Sequence, residues 1–280
     1  MMSLPTEILC VGYELLSGTM VNSNAHWISQ KIYEIGGFVK RITVIGDDLS
    51  EIAQTVTEAI ARRPNWLILS GGLGPTYDDK TLEGVATSLD LELTLNEDAV
   101  SMLKKRYAFQ SKNSELNEIR VKMARIPFGS KPLRNPVGSA PAVLIQKYWT
   151  KIVCLPGVPK EMKAIFSGSI IPLMKKEVGE FWIIESNYEV MGVSEAMIAP
   201  KISQVAESSP LGVLYVKTHP LDDVTIEDNK QTRLRIQIMV KGRNEAEAET
   251  MACTVSNTIT KEISRFRGMI SRRSEKKFHN

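Results

Sequence analysis

The sequence predicts a mixed α/β protein with a mostly parallel, three-layer α/β/α first domain and a second, smaller α+β domain. Short apolar runs alternate with helical segments of roughly 10 to 15 residues in the first part of the chain, which is typical of a parallel sheet covered on both faces. A different order of strands and helices begins near residue 180. The length of 280 residues also fits about two domains.

The first part predicts a strand, a helix, a second strand, a second helix and a third strand. The apolar run EILCVG ends at Gly12, and helical spacing follows, with Asn22 or Ser23 as candidate N-caps. GFVKRITVIGDD predicts the second strand. Ser50 is a candidate cap for the second helix, which Pro64 ends before the apolar strand WLILSGG.

The loops after the first and third strands are expected to meet at one edge of the sheet. They contain residues 12–18 and 71–81. Two helical stretches between about 96 and 125 precede another apolar strand, KIVCLPG, which ends at 155–159. Parallel α/β sheets bind ligands beyond the carboxyl ends of their strands, so this edge is the expected binding site.

The second part predicts strand, helix, strand, strand and helix, a small α+β unit. The chain ends in the basic segment 265–280, which contains six Lys and Arg residues and one acidic residue, Glu275. An RNA-binding tail is one interpretation of this segment. A solvated, frayed terminus is the favoured one, because charge runs at chain ends are usually solvated.

Composition excludes several classes of protein. With 43% hydrophobic and 24% charged residues, the chain is an ordinary globular sequence. Cys10, Cys154 and Cys253 are widely spaced, and at least the first two lie in apolar runs, which indicates reduced core thiols and a cytoplasmic protein. No apolar run reaches the roughly 18 residues of a membrane span, and no signal peptide is expected.

The loop 71–81 carries the sharpest local signal for chemistry. Its three glycines, Gly71, Gly72 and Gly74, allow backbone N–H groups to approach an anion, and Pro75 stiffens the turn. A helix expected from about Asp79 would direct its positive end at the same place. The loop matches neither the P-loop nor the dinucleotide-binding glycine pattern.

The adjacent carboxylates of this loop, Asp78 and Asp79, are candidates for binding a divalent cation or for positioning a water. Helix capping is the alternative, with Asp78 the better cap. Glu14 is expected to face either the cleft or solvent. Asp47 and Asp48 are interpreted as caps or turn residues, and no nucleophile is paired with a base.

Seven motifs in order resemble the N-terminal part of the CinA proteins. They are Gly12-x-Glu14-Leu15-Leu16-x-Gly18, Asn22 with Asn24, Gly46-Asp47-Asp48, GGLGPTYDD with Thr81, Asn135-Pro-Val-Gly138-Ser139-Ala140-Pro141, Leu155-Pro156-Gly157-Val158-Pro159-x-Glu161-Met162, and Gly192-Val193-Ser194-Glu195. The resemblance implies a MoaB/Mog-like, molybdopterin-binding-type domain at 5–172, a KH-like domain at 178–266 and a basic tail at 267–280. The nicotinamide-nucleotide amidase domain of full-length bacterial CinA is not expected in this chain.

The resemblance also implies an activity, the hydrolysis of ADP-ribose to AMP and ribose 5-phosphate. It implies a divalent metal (Mg, Mn or Co), with potassium, held by Asp78 and Asp79, and Glu14 completes the candidate catalytic set. The remaining candidates would bind the nucleotide substrate or its phosphates: Gly71, Gly72, Gly74, Pro75, Thr76, Asn22, Asn135, Gly138, Ser139, Gly157 and Glu161. A homodimer is expected.

One departure leaves the function open. The family usually has Gly-Asp-Glu where this chain has Gly12-Tyr13-Glu14, so a carboxylate is replaced by a ring that could stack on a base or block the pocket. The alternative function is therefore non-hydrolytic binding of molybdopterin or a nucleotide. RNA binding is disfavoured, because Glu195 stands where the GXXG loop of a KH domain would have its second glycine.

Overall fold

The computed structural model describes residues 4–110, 117–208, 213–226 and 229–279. The chain divides into two compact units, with the boundary between Glu177 and Val178. Among the described residues of the first part, residues 34–36 are grouped with the second unit. Among the described residues, no helix is both long enough and apolar enough to cross a bilayer.

The first unit alternates strands and helices, as the periodicity predicts. Its elements are β1 (Pro5–Val11), α1 (Tyr13–Leu16), α2 (Ser23–Glu34), β2 (Phe38–Ile45), α3 (Leu49–Ala61), β3 (Trp66–Ser70), α4 (Thr81–Leu89), β4 (Leu93–Leu95), α5 (Glu97–Gln110), α6 (Glu118–Val121), β5 (Arg125–Pro127), β6 (Lys131–Leu133), β7 (Ala142–Lys147), β8 (Thr150–Leu155), α7 (Pro159–Ile165) and α8 (Ile171–Val178). A π-helical turn, Phe166–Ile170, joins the last two helices.

The main sheet has six strands in the order β2-β1-β3-β8-β7-β6. The first four are parallel, β7 pairs antiparallel with β8, and β6 pairs antiparallel with β7. In register, Leu9 lies beside Leu69, and Leu69 lies beside Cys154. The mostly parallel sheet is therefore confirmed, and the ends of β1, β3 and β8 lie side by side.

Burial explains why β3 occupies the centre. All five of its residues are buried, and Leu69 is fully buried against a cluster that includes Val56, Val85 and Ile152. A strand covered on both faces needs a continuous apolar run, and WLILS supplies it.

Helix caps follow the sequence in one case and depart from it in another. Asn22 caps α2, since its Oδ1 accepts a hydrogen bond from Ala25 N at 3.1 Å. Of the candidate caps of α3, Ser50 was wrong and Asp48 is confirmed, since Asp48 caps this helix by accepting from Glu51 N at 2.9 Å. A carboxylate is a stronger hydrogen-bond acceptor than a hydroxyl, so Asp48 takes the free N–H of Glu51. The hydroxyl of Ser50 donates to the same carboxylate.

The second unit is an antiparallel sheet with two helices. It contains β9 (Trp182–Met191), α9 (Glu195–Ser208), β10 (Val213–Ile226), β11 (Asn229–Gly242), α10 (Glu245–Arg265) and β12 (Met269–His279). The strand order is β10-β11-β9-β12. Its core joins alternate residues of β9 and β11 to the apolar sides of α9 and α10.

The expectation of a frayed basic terminus is wrong. Residues 269–279 form β12, an edge strand that pairs antiparallel with β9 along its whole length. Lys277 contacts Glu245 and Glu249 of α10 at 2.9 and 2.5 Å, and the guanidinium of Arg273 lies over the ring of Tyr188. Two of the charges that suggested a solvated tail, those of Lys277 and Arg273, therefore have acidic and aromatic partners in the fold.

The cysteines differ in exposure, which predicts their reactivity. Cys10 and Cys154 are buried and Cys253 is exposed, so the expectation of core thiols holds for the first two. Burial raises the pKa of Cys10, although its bond to Asn22 opposes the shift, and burial raises the pKa of Cys154 to about 12. Only thiolates attack disulfide reagents at a useful rate.

We predict that the native chain reacts quickly with a disulfide reagent at pH 8 at one thiol only. Mass spectrometry of the labelled peptides should find Cys253 modified first, and Cys10 and Cys154 modified only in denaturant. Substitution Cys253→Ser should remove the fast phase. Fast labelling of Cys154 in the native protein would contradict the burial described above.

Candidate functional site

A cleft of about 710 Å³ lies at the carboxyl ends of the parallel strands. It is formed by the loops that follow β1, β3 and β8, by the loop 137–140, and by α5. The sequence predicts this edge of the sheet as the binding site, and the structure places most of the candidate residues there. Its volume lies in the range of small-molecule and cofactor sites.

Two glycines at the start of the loop after β3 allow the backbone to take this path. Gly71 has φ +114°, and a Cβ on it would lie 2.1 Å from the carbonyl oxygen of Val11. Gly72 has φ +65°, and its Cβ would lie 2.3 Å from Oγ1 of Thr81. Thr81 also fastens the loop, because its hydroxyl donates to Gly71 O at 2.8 Å. No other residue type fits these two positions without strain.

The loop leaves backbone donors available at the cleft. Gly72, Leu73 and Gly74 line the cleft, and within the described part of the chain their N–H groups donate to no protein acceptor. Successive unpaired N–H groups form a concave site that suits an anion. The following helix begins at Thr81, two residues after the approximate start expected at Asp79, and Lys80 is its N-cap residue, so the alternative role of Asp78 as a helix cap is wrong.

Asp78 and Asp79 instead converge on Thr76. Its hydroxyl lies within hydrogen-bond distance of both carboxylates, and Asp79 also accepts from Thr76 N at 2.8 Å. The bond from Thr76 lowers the pKa of Asp78, with smaller contributions from Lys122 and Lys80. The hydroxyl of Thr76 has one hydrogen and can donate it to only one of the two carboxylates. The other carboxylate therefore lies close to the hydroxyl oxygen with no hydrogen bond between them.

This convergence fits a divalent cation of the magnesium type. Among the residues that the structure describes, no group of three or more His, Cys, Asp or Glu side chains could hold a metal ion by itself. Magnesium seldom needs such a group, since it is commonly held by one or two carboxylates together with phosphate oxygens of the ligand. Asp78 and Asp79 both line the cleft and provide that number of carboxylates.

The loop after β6 is held in shape by Asn135. The Oδ1 atom of Asn135 accepts from Val137 N and Gly138 N at 3.1 and 2.7 Å, and Nδ2 donates to Ala140 O at 2.9 Å and to Glu161 at 2.6 Å. A Cβ on Gly138 would lie about 2 Å from the carboxylate of Glu161. Asn135 therefore positions the loop and Glu161, rather than forming part of the cleft wall.

The loops after β1 and β2 each bring one carboxylate to the same cleft. Glu14 lies in the short helix α1, and its carboxylate occupies the space that a Cβ of Gly12 would need. Asp47 accepts from Tyr13 N at 2.9 Å, which ties the loops after β1 and β2 together. The ring of Tyr13 is 70% exposed and does not contribute to the cleft wall, so it does not block the cleft.

Most of the residues predicted from sequence line the cleft. They are Glu14, Gly71, Gly72, Gly74, Pro75, Asp78, Asp79, Gly138, Ser139, Gly157 and Glu161. Thr76, Asn22 and Asn135 do not line this cleft. Thr76 and Asn135 form hydrogen bonds to its carboxylates, and Asn22 caps α2 and lines a smaller neighbouring pocket.

Three cleft or support residues escaped the prediction. Arg106 and Asp47 line the cleft, although the sequence gave Arg106 no role and Asp47 only a turn or cap role. Asn24, noted only as part of a motif, donates to Ser70 Oγ at 2.9 Å and to Gly157 O at 2.7 Å. Periodicity could not identify Arg106, because it lies in a helix whose basic residues look like an ordinary solvated face.

Comparison with known proteins agrees with this geometry. A family model described as a probable molybdopterin binding domain matches residues 7–176. A protein of Metallosphaera sedula is 38% identical over 266 residues, covering 95% of this chain and 97% of the relative. A protein of Sulfurisphaera tokodaii is 41% identical over 241 residues, covering 86% and 88%.

The chain belongs to the family of probable molybdopterin binding domains, of MoaB/Mog-like fold. Within that class it resembles CinA. A crystal structure of CinA from Thermoplasma acidophilum, a protein described as of unknown function, is 38% identical, has a TM-score of 0.55, and covers 62% of this chain and 98% of that chain. The resemblance to the N-terminal region of CinA seen in the motifs is thus confirmed.

We predict strong coupling between Gly138 and Glu161. Gly138→Ala alone should destabilise the fold by about 1 to 3 kcal/mol, because the new methyl group overlaps the Glu161 carboxylate. In a Glu161→Ala background the same change should cost much less, since the overlapping group is gone. Chemical denaturation of the two single variants and the double variant measures this coupling. Additive effects would show that the two residues are not in contact.

Proposed function

We propose that the cleft binds a phosphorylated pterin, such as molybdopterin, without hydrolysing it. The observation that carries the proposal is the row of unpaired backbone N–H groups at Gly72, Leu73 and Gly74, in a cleft large enough for a cofactor. These donors suit a phosphate group because they are fixed by the loop and need no reorganisation when an anion binds. Membership of a probable molybdopterin binding family supports the pterin as the rest of the ligand.

The other walls of the cleft suit a flat heterocycle. Apolar side chains line it beside the glycine loop: Met20, Leu73, Tyr107, Met123, Val137 and Val158. Ligand sites combine such apolar walls with a few polar groups that fix orientation. In this proposal the glycine loop fixes the phosphate, and the apolar side chains cover the ring.

A divalent cation is part of the proposal because of the charge of the cleft. Glu14, Asp47, Asp78, Asp79 and Glu161 all contribute to its wall. A bound cation would neutralise part of this charge and that of the phosphate, and Asp78 with Asp79 would hold it. Thr76 holds these two carboxylates close together, so little reordering is needed.

We predict that protein purified from a host that makes molybdopterin carries a pterin, detected by fluorescence after denaturation and oxidation. Gly74→Ala should reduce this content about tenfold or more, because its Cβ would lie 2.5 Å from Asp79 and displace the loop. Gly168→Ala is the matched control, since its Cβ meets no atom within 4 Å. A wild-type chain that carries no pterin and binds none when it is added would contradict the proposal.

Metal-dependent hydrolysis of the diphosphate of ADP-ribose or a related compound is the second candidate function. The specific observation in its favour is the convergence of Asp78 and Asp79 beside the phosphate-binding loop. A cation held there would also stabilise the charge that develops on a leaving phosphate. The remaining groups of this chain would hold the diphosphate in place and orient a water at Asp78, Asp79 or Glu14.

If this second function is correct, incubation with ADP-ribose and magnesium, manganese or cobalt, with and without potassium, should release AMP only when metal is present. Replacing both carboxylates by Asp78→Asn and Asp79→Asn should reduce turnover by at least about 100-fold. Asp90→Asn, at the far end of α4, is the control, and Asn tolerates its left-handed conformation. If the protein binds ADP-ribose but releases no AMP, hydrolysis is ruled out and only the binding function remains.

A further inference from the structure

The cleft contains one cationic side chain among many acidic ones. Besides the five carboxylates described above, Arg106 of α5 contributes the only Lys or Arg side chain to the wall as far as the structure describes it. A ligand that carries phosphate meets an acidic surface here, so any fixed positive charge has a large effect on which anions bind.

Four of the five carboxylates have a partner other than Arg106. Asp78 and Asp79 contact Thr76, Glu161 contacts Asn135, and Asp47 accepts from a backbone N–H. Within the described residues, no carboxylate lies within ion-pair distance of the Arg106 guanidinium. Among the described residues, its charge therefore has no carboxylate counterpart.

One hydrogen bond to the protein positions the guanidinium of Arg106. Its Nη2 donates to the carbonyl oxygen of Val137, while its Nε is buried and has no hydrogen-bond partner among the described residues. A buried N–H without an acceptor is unfavourable. The hydrogen bond to Val137 restricts the side chain before a ligand binds.

Two backbone donors on this side of the cleft are already engaged. The N–H groups of Val137 and Gly138 both donate to Asn135, so neither is available to an anion as the N–H groups of the glycine loop are. The side-chain donors here are the guanidinium of Arg106 and the hydroxyl of Ser139, which also lines the cleft.

We propose that Arg106 binds a second anionic group of the ligand, beside the 137–140 loop, while the glycine loop binds the first. The inference rests on the proposed function, because it assumes that a phosphate occupies the cleft. An arginine suits this role, since its planar donors match phosphate or carboxylate oxygens and its charge persists at every physiological pH.

Calorimetric titration of the full chain with inorganic phosphate and with inorganic pyrophosphate tests this assignment. Arg106→Gln should weaken pyrophosphate binding about tenfold or more and phosphate binding much less, because only the longer anion reaches both sites. Arg106→Lys should recover part of the loss. Lys105→Gln, which removes one charge from an exposed neighbour on the same helix, should leave both affinities within about twofold.

A second measurement uses the unmodified chain. Phenylglyoxal labelling mapped by mass spectrometry should show Arg106 protected by pyrophosphate, and the exposed Arg243 of the second unit unprotected. Equal pyrophosphate affinity in wild type and Arg106→Gln, with binding intact, would overturn the role of Arg106 and leave the proposed function standing. Wild-type protein that binds neither anion would overturn both.

Discussion

Close backbone contact at Gly71 is the constraint on which the cleft depends. Gly71 N donates to Leu155 O at 3.0 Å, its missing Cβ leaves room for the carbonyl of Val11, and a Cβ on Gly157 would approach its Cα to 3.3 Å. The loops after β1, β3 and β8 therefore meet at one residue. This contact requires parallel strands in register, because only then do three carboxyl ends lie at the same edge.

The same principle positions the acidic groups. The carboxylates of Glu14 and Asp79 lie where side chains of Gly12 and Gly74 would otherwise be, and Glu161 occupies the same position beside Gly138. The cleft is therefore acidic, and its ligand needs compensating positive charge from a cation, from Arg106, or from both.

In the second unit, the sheet has an exposed edge that charged residues protect. β12 lies at one edge of its sheet and carries Lys and Arg residues along its length. Charged edge strands resist pairing with other chains, because addition of another strand would bury those charges. Lys277 also reaches Glu245 and Glu249, so the charges that protect the edge help to dock it on α10.

The sequence by itself determined the alternation of strands and helices and the glycine loop at 71–74, and it limited the cap of α2 to Asn22 or Ser23. These features depend on local spacing, on the absence of a Cβ and on single apolar runs, all of which are visible in the chain. Only the tertiary structure decided that Arg106 faces the cleft, that Asn135 supports Glu161, and that the basic terminus pairs with β9. The partners in these contacts are 26 to more than 80 residues apart, and local composition cannot specify a contact whose other half lies elsewhere in the chain.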